Sequence, residues 1–277
     1  MMNRTGNPGI LPEGYGPLVL DPARKASVAM QIATQLSAST SSLHIPRVTE
    51  DTTASWTAEA ATISDDDLAT DEYVVTPSKL AALTYVSNEL VADSSPAALQ
   101  LIGDSMGAAI ASKLDAAFFG NTVTNGPSGL ESVTGFAAVD AGTAFDSMDA
   151  FVDAQVDLES AGARVTAWVT TPAVAKTLLK VKQGDSSNVP LITPDVSVAS
   201  GRTLLGVPLF VSPYVAADTV YGIDASSTFV VIREGMTLST STDERFSSDQ
   251  TSVRAILRVG FGFPRPSAIA KITLSEA

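Results

Sequence analysis

Few residues in this chain could do chemistry. His44 is the sole histidine, so any Ser-His-Asp relay must run through it. It lies two residues before Pro46, in a stretch that reads as the base of a hairpin, a poor setting for a general base. The chain has no cysteine, which removes thiolate nucleophiles, thiolate metal sites and disulfides together. No GxxxxGK(S/T) or GxGxxG loop is present to cradle a phosphate. Gly260 and Gly262 form a lone G-x-G inside a strand and read as packing. Asp65, Asp66 and Asp67 are adjacent. A calcium loop places its oxygen ligands at alternating positions with a closing Glu, so this run reads as a solvated tip. Nothing here calls for a cofactor or a metal, and the expectation is that the chain is not an enzyme.

The remaining residues serve architecture, and one stretch organises it. Ser95 to Asn121 carries apolar residues at Ala98, Leu101, Ile102, Met106, Ala109, Ile110, Leu114, Ala117 and Phe118. Spacings of three and four put them on one stripe of a helix. Ser95 fits an N-cap and Pro96 the first helical position. Gly120-Asn121 reads as a left-handed stop. Such a helix runs about 36 Å at 1.5 Å per residue.

Composition narrows the partners. The 277 residues are 45% hydrophobic and 17% charged, which suits a large folded core. Lys and Arg number 17 against 30 Asp and Glu, a net charge of −13. A chain this acidic is not expected to clamp nucleic acid through phosphate neutralisation. Near DNA it would enclose rather than grip. No apolar run is long enough to span a membrane, and the first residues lack a signal-peptide core. A soluble protein made in the cytoplasm is expected.

Taken in order, residues 1 to 20 form a Gly/Pro-rich arm that leaves no room for a helix. Asp21–Leu36 has weak helical periodicity. Ser41–Trp56 and Tyr73–Val86 read as two strands, marked as edges by Pro46 and Pro77, joined by an acidic tip. A two-stranded hairpin is marginal alone in water, so it needs a neighbour to lie on. After the long helix comes a turn-rich link, then a helix over Phe145–Ala161 whose apolar residues are Met148, Phe151, Val152, Val156 and Leu158. A buried strand at Val165–Thr170 and a helix opened by Thr171-Pro172 follow. This β–α alternation suggests a small α/β unit. Thr203–Ser212, Val220–Ile223 and Thr228–Ile232 read as strands, with Gly235-Met236 in a turn. Met236–Thr240, Thr251–Val259 and Ile269–Leu274 read as an antiparallel sheet packing under the long helix.

That order of features resembles tailed-phage major capsid proteins of the Hong Kong 97-type fold. The residues that carry the resemblance are W-T-A-E (Trp56–Glu59), then V-T-P-S-K-L-A-A-L-T-Y-V-S-N-E-L-V-A-D-S (Val75–Ser94) running into the long helix. Gly126-Pro127-Ser128-Gly129-Leu130, Leu205-Gly206-Val207-Pro208, Gly222-Ile223-Asp224 and the ending from Val253 to Ile272 add to it. The resemblance implies an α+β fold in four regions. These are an N-terminal arm (1–40), an extended E-loop hairpin (41–86), a peripheral domain with a spine helix and antiparallel sheet (87–142 plus 228–277), and an α/β axial domain (143–227).

It also implies a function. Many copies would self-assemble as hexamers and pentamers into an icosahedral shell enclosing double-stranded DNA, located in the virion and assembled in the bacterial host cytoplasm. Expected partners are further copies, a portal protein, and optionally a separate scaffolding protein and a decoration or cement protein. An encapsulin-type compartment holding an enzyme cargo is the alternative. Two departures from the type member stand out. Only a short arm precedes the hairpin, so no built-in scaffold is expected. The tip Glu59–Glu72 has no Lys, and no Asn occurs after Asn188, so Lys–Asn crosslinks are not expected. Within this frame Glu59, Asp65, Asp66 and Asp67 are expected to meet arginines of an adjacent subunit, with Arg233, Arg245, Arg254 and Arg258 as candidates. Trp56 is expected either to anchor the hairpin base, where a large aromatic buries well, or to serve a local core. Arg4, Arg24 and Lys25 give the arm a positive character that favours a neighbour's acidic surface.

Overall fold

Proline and glycine mark several of the places where elements stop: Pro77 separates the strand before it from the one after, and Leu205-Gly206 turns one strand back on the next. The computed structural model describes residues 23–50, 56–57, 69–89, 96–182, 190, 192 and 200–275. The arm before residue 23, the hairpin tip around Glu59 and Asp65–Asp67, and the N-cap reading of Ser95 lie outside the described residues. In chain order the elements are α1 (Val28–Ile32), β1 (Thr34–Ala38), β2 (Leu43–Glu50), β3 (Ala69–Val75), β4 (Ser78–Ser87), α2 (Pro96–Phe119), β5 (Ala137–Asp140), α3 (Asp149–Ser160), β6 (Ala167–Thr170), α4 (Pro172–Leu178), β7 (Thr203–Leu204), β8 (Val207–Val211), β9 (Thr219–Ile223), β10 (Phe229–Arg245), β11 (Gln250–Gly262) and β12 (Ile269–Thr273).

Among the described residues three sheets form. A four-stranded sheet runs β1-β10-β11-β4, a six-stranded sheet runs β5-β12-β9-β6-β8-β7, and β2 pairs with β3 alone. The four-stranded sheet buries one face against α2. Val230 and Ile232 of β10 and Val253, Ala255, Leu257, Val259 and Phe261 of β11 join Met106, Ile110, Leu114 and Phe118 of α2 in one core. Alternation along β11 is therefore that of a half-buried strand. The six-stranded sheet is buried on both faces. Tyr221, Ile223 and Ile269 face the α2 core, while Trp168, Val220, Ala270 and Ile272 face α3 and α4 through Phe151, Leu158, Val174 and Leu178. That explains why β6 and β9 read as unbroken apolar runs.

Several readings from sequence are corrected. Tyr73–Val86 is not one strand: Pro77 ends β3's run, and β4 leaves the hairpin to become an edge of the four-stranded sheet, paired with β11. Gly235-Met236 is not a turn. β10 continues through it, and its register against β11 shifts by two residues between Arg233 and Thr237, an irregularity by which a strand absorbs extra residues. Thr203–Ser212 is two strands joined at Leu205-Gly206, both at positive φ (51° and 76°), the two-residue hairpin geometry. Ile269–Thr273 does not belong to the sheet formed with β10 and β11, although Ile269 reaches the α2 core. It pairs with β9 and β5 inside the other sheet. The helix read from Phe145 starts at Asp149, and its Val152 and Val156 are exposed. α2 keeps the bounds expected of it, but Gly120 is not left-handed.

Candidate functional site

The hairpin β2–β3 is tied to the four-stranded sheet at its base. Leu43 pairs with Val75 and Ile45 with Tyr73 on one face. These four pack on Val231, Ala38, Leu36 and Phe229 in a small third core, on the sheet face opposite α2. Gly260 and Gly262 make this approach possible. A Cβ on Gly260 would stand 2.8 Å from Val75 Cγ1, and one on Gly262 3.0 Å from Val75 Cγ2. The G-x-G is packing, as its sequence setting suggested.

Next outward, Arg47 clamps the strands. Its guanidinium donates to Asp71 Oδ2 at 2.6 Å and 3.1 Å, and to the Pro264 carbonyl at 3.4 Å. The hydrogen bonds from Arg47, then one from the Glu72 N–H, then the Arg47 charge hold the Asp71 carboxyl below the usual carboxylate range. A carboxyl depressed in the folded state contributes stability above its unfolded value, near 3.9, and loses it only as pH falls through the lower folded value. The clamp therefore persists into mild acid. In an NMR titration Asp71 should show a midpoint below that of an ordinary Asp, and Arg47→Gln should raise it. An unshifted midpoint in the parent would contradict the clamp.

On the opposite hairpin face His44 sits between two partners. Its Nδ1 lies 2.7 Å from Glu72 Oε2, and its Nε2 lies 3.3 Å from Ser42 Oγ. This is a hydroxyl–imidazole–carboxylate line, which the sequence reading missed because Glu72 is 28 residues away. Both His44 and Glu72 are more than half exposed, so water screens the charges and competes for the bonds. As placed, the line ties strand to strand across the hairpin.

The arginine candidates fall together. In paired strands, directly opposed residues project to the same face. Arg233 lies opposite Arg258, and Arg258 opposite Lys79; Arg254 lies between Ser239 and Leu83; Arg245 is opposite Gln250, and Gln250 opposite Ser87. All four arginines and Lys79 thus share the face away from α2. Arg245 stacks 4.3 Å over the Tyr85 ring, whose hydroxyl donates to Glu244. Arg254 Nε donates to Ser239 Oγ at 3.3 Å. Arg233 Nε is buried with no acceptor. Among the described residues the ion pairs are His44–Glu72 and Arg47–Asp71, and none of the five cations has one. Opposed like charges are destabilising in a sheet, so this row favours an anion. Lys79 was missed although its parity along β4, with Leu83 and Tyr85, places it on this face.

Trp56 does not anchor the hairpin base. It is 105% exposed, and Val75, Tyr73 and Ile45 fill the base instead. Leu83, Val48 and Val74 are also exposed. Among the described residues no group of three His, Cys, Asp or Glu is placed to hold a metal, and no helix is long and apolar enough to cross a membrane.

Comparison with known proteins places this architecture. No curated protein matches the sequence. Among solved structures, the chain is similar to one described as the capsid of an empty GTA particle, at TM-score 0.75 and 19% identity, covering 100% of this chain and 94% of that one. It is similar to a structure from Microbacterium phage Oxtober96, at TM-score 0.68 and 17% identity over 90% and 91% of the two chains. A structure from Mycobacterium phage Cain aligns at TM-score 0.68 and 18% identity over 91% of each. Residues 10–274 match the description of the Phage capsid family, and on that match the chain belongs to the phage capsid family, as a major capsid protein.

Proposed function

We propose that copies of this capsid protein close as hexamers and pentamers into an icosahedral shell around double-stranded DNA. In this reading the hairpin of one copy lies across the four-stranded sheet of the next. The acidic run Glu59, Asp65, Asp66 and Asp67 meets Arg233, Arg245, Arg254 and Arg258, and Lys79 belongs with them. The observation that carries the contact is the gathering of four arginines and Lys79 on one sheet face of a chain of net charge −13, set against a stretch from Glu59 to Glu72 with no Lys or Arg. Trp56, exposed in the subunit, is assigned to the same interface. A portal protein, a separate scaffold and a decoration protein are partners in this reading, assembly takes place in the host cytoplasm, and the shell performs no catalysis. A compartment for enzyme cargo is not favoured.

Each exposed pair is worth about 0–1 kcal/mol, and the effect comes from repetition over many subunits. Replacing Asp65–Asp67 by Ser should lower the yield of closed shells and make them dissociate at lower salt, read by electron microscopy and light scattering. Shells of unchanged yield and salt tolerance would remove the contact. A parent protein that stays a monomer even with its neighbouring genes co-expressed would remove the shell reading itself.

A further inference from the structure

A buried carboxylate on α2 is left over by the assembly surfaces. Asp115 is 4% exposed. Its donors all come from one distant segment. Ser27 Oγ donates to Oδ1 at 2.6 Å, the Ala29 N–H to Oδ1 at 3.1 Å, and the Val28 N–H to Oδ2 at 2.9 Å. These N–H groups open α1, where a helix cannot satisfy its own first donors. Ser27 also caps α1 locally, accepting from the Met30 N–H at 3.2 Å. The first turn of α1 is thus capped twice, once from within and once from a residue 86 to 88 positions later.

An apolar side chain would fill this position without the desolvation that a buried carboxylate incurs. Burial indeed pushes the Asp115 carboxyl up from its ordinary value, against the three bonds that pull it down. What the carboxylate adds is direction, because three donors fix both the place and the angle of the segment that supplies them. That segment, Ala23 to Ile32, is where the arm of residues 1–22 joins the subunit. Ala23, Ser27 and Ala29 are fully buried, while Arg24 and Lys25 point outward.

We infer that Asp115 is a positioning residue for the N-terminal arm: its carboxylate latches the root of the arm to α2, so that every copy in the shell launches residues 1–22 from the same point. The shell half of this inference rests on the function proposed above; the latch itself is a property of the subunit.

The two halves separate in the test. In the full-length subunit, Asp115→Asn keeps size and shape but turns an amide N–H toward the Val28 N–H. Trypsin cleavage after Arg24 and Lys25 should then accelerate by about tenfold or more, since it reports local opening. Ser27→Ala removes one of the three bonds to Asp115 together with the local cap on the Met30 N–H; it should also accelerate cleavage there, and it serves as the readout if Asp115→Asn does not fold. Hydrogen exchange should speed up at the Val28, Ala29 and Met30 amides and not in β10 or β11. Unchanged cleavage in both variants, or equal acceleration at sites across the chain, would overturn the latch. In assembled particles Asp115→Asn should broaden the distribution of diameters. A uniform population alongside faster local cleavage would overturn the positioning role.

Discussion

Gly129→Ala should leave little folded protein. A methyl group there would overlap the carbonyl oxygens of Ala117 and Gly120 and stand 2.9 Å from that of Phe118. These are backbone atoms of the last turn of α2 and cannot swing aside as a side chain would. The demand is for space and not for an unusual conformation, because Gly129 has an ordinary φ of −96°. The loop after α2 folds back on the helix end. Glu131 N–H donates to the Gly120 carbonyl at 3.1 Å, and Leu130 enters the α2 core with no exposure. Forcing the loop away gives up that bond, about 1 kcal/mol, and the burial of Leu130, about 2–5 kcal/mol. A loss of roughly 3–6 kcal/mol overall reaches the lower end of the stability of a whole domain. Chemical denaturation of soluble protein, or its absence from the soluble fraction, checks this. A midpoint within error of the parent would mean that the loop can move.

Phe118→Ala should be nearly as severe. Phe118 is fully buried. It meets Phe119 and Phe261 edge-on, at centroid distances of 5.0 Å and 5.1 Å, and Phe263 at 5.5 Å. It is therefore the rivet between α2 and β11. Truncating a buried Phe to Ala costs about 3–5 kcal/mol, with part of the cost in the aromatic geometry. Phe118→Leu should recover most of it. The check is the thermal or denaturant midpoint of both variants. Equal destabilisation by Leu and Ala would argue that the edge-to-face contacts, and not the filled volume, hold the two elements.

The long helix was legible because everything that defines it is local: Pro96 at its first position, apolar residues at helical spacing and a glycine just past its end. The strands were legible as strands but not as members of a sheet. β9 is buried along its whole length, so periodicity offers no clue to which side faces which core; β12 alternates Ala270 and Ile272 against Lys271 and Thr273, a pattern that fits either sheet, and it was misassigned because its partners β5 and β9 are distant in sequence. The break between β3 and β4 was signalled by Pro77, yet alternation runs through it unbroken. Of the candidate surface, Arg254 and Arg258 share a parity that puts them on one face, while Arg233 and Arg245 join them only through the register of β10, with its two shifts. Trp56 misled because a large aromatic is more often inside than out, a tendency that does not bind any single residue. Asp115 had no local signal at all, since its partners precede it by nearly ninety residues.

The position of β12 bears on how a cell handles the unfinished chain. β12, the last strand in chain order among the described residues, lies in the interior of the six-stranded sheet, between β5 and β9, while β10 and β11 form the middle of the other. The four-stranded sheet cannot close before Gly262 has been made, nor the six-stranded sheet before Thr273, and pairings this distant in sequence form slowly. A polypeptide cut short before Ile269 would leave β5 and β9 with open edges and a bared apolar face, the kind of species that chaperones hold and proteases clear. Premature termination is thereby coupled to elimination. A capsid built from many copies of this chain would be spared defective ones by the order in which the strands leave the ribosome.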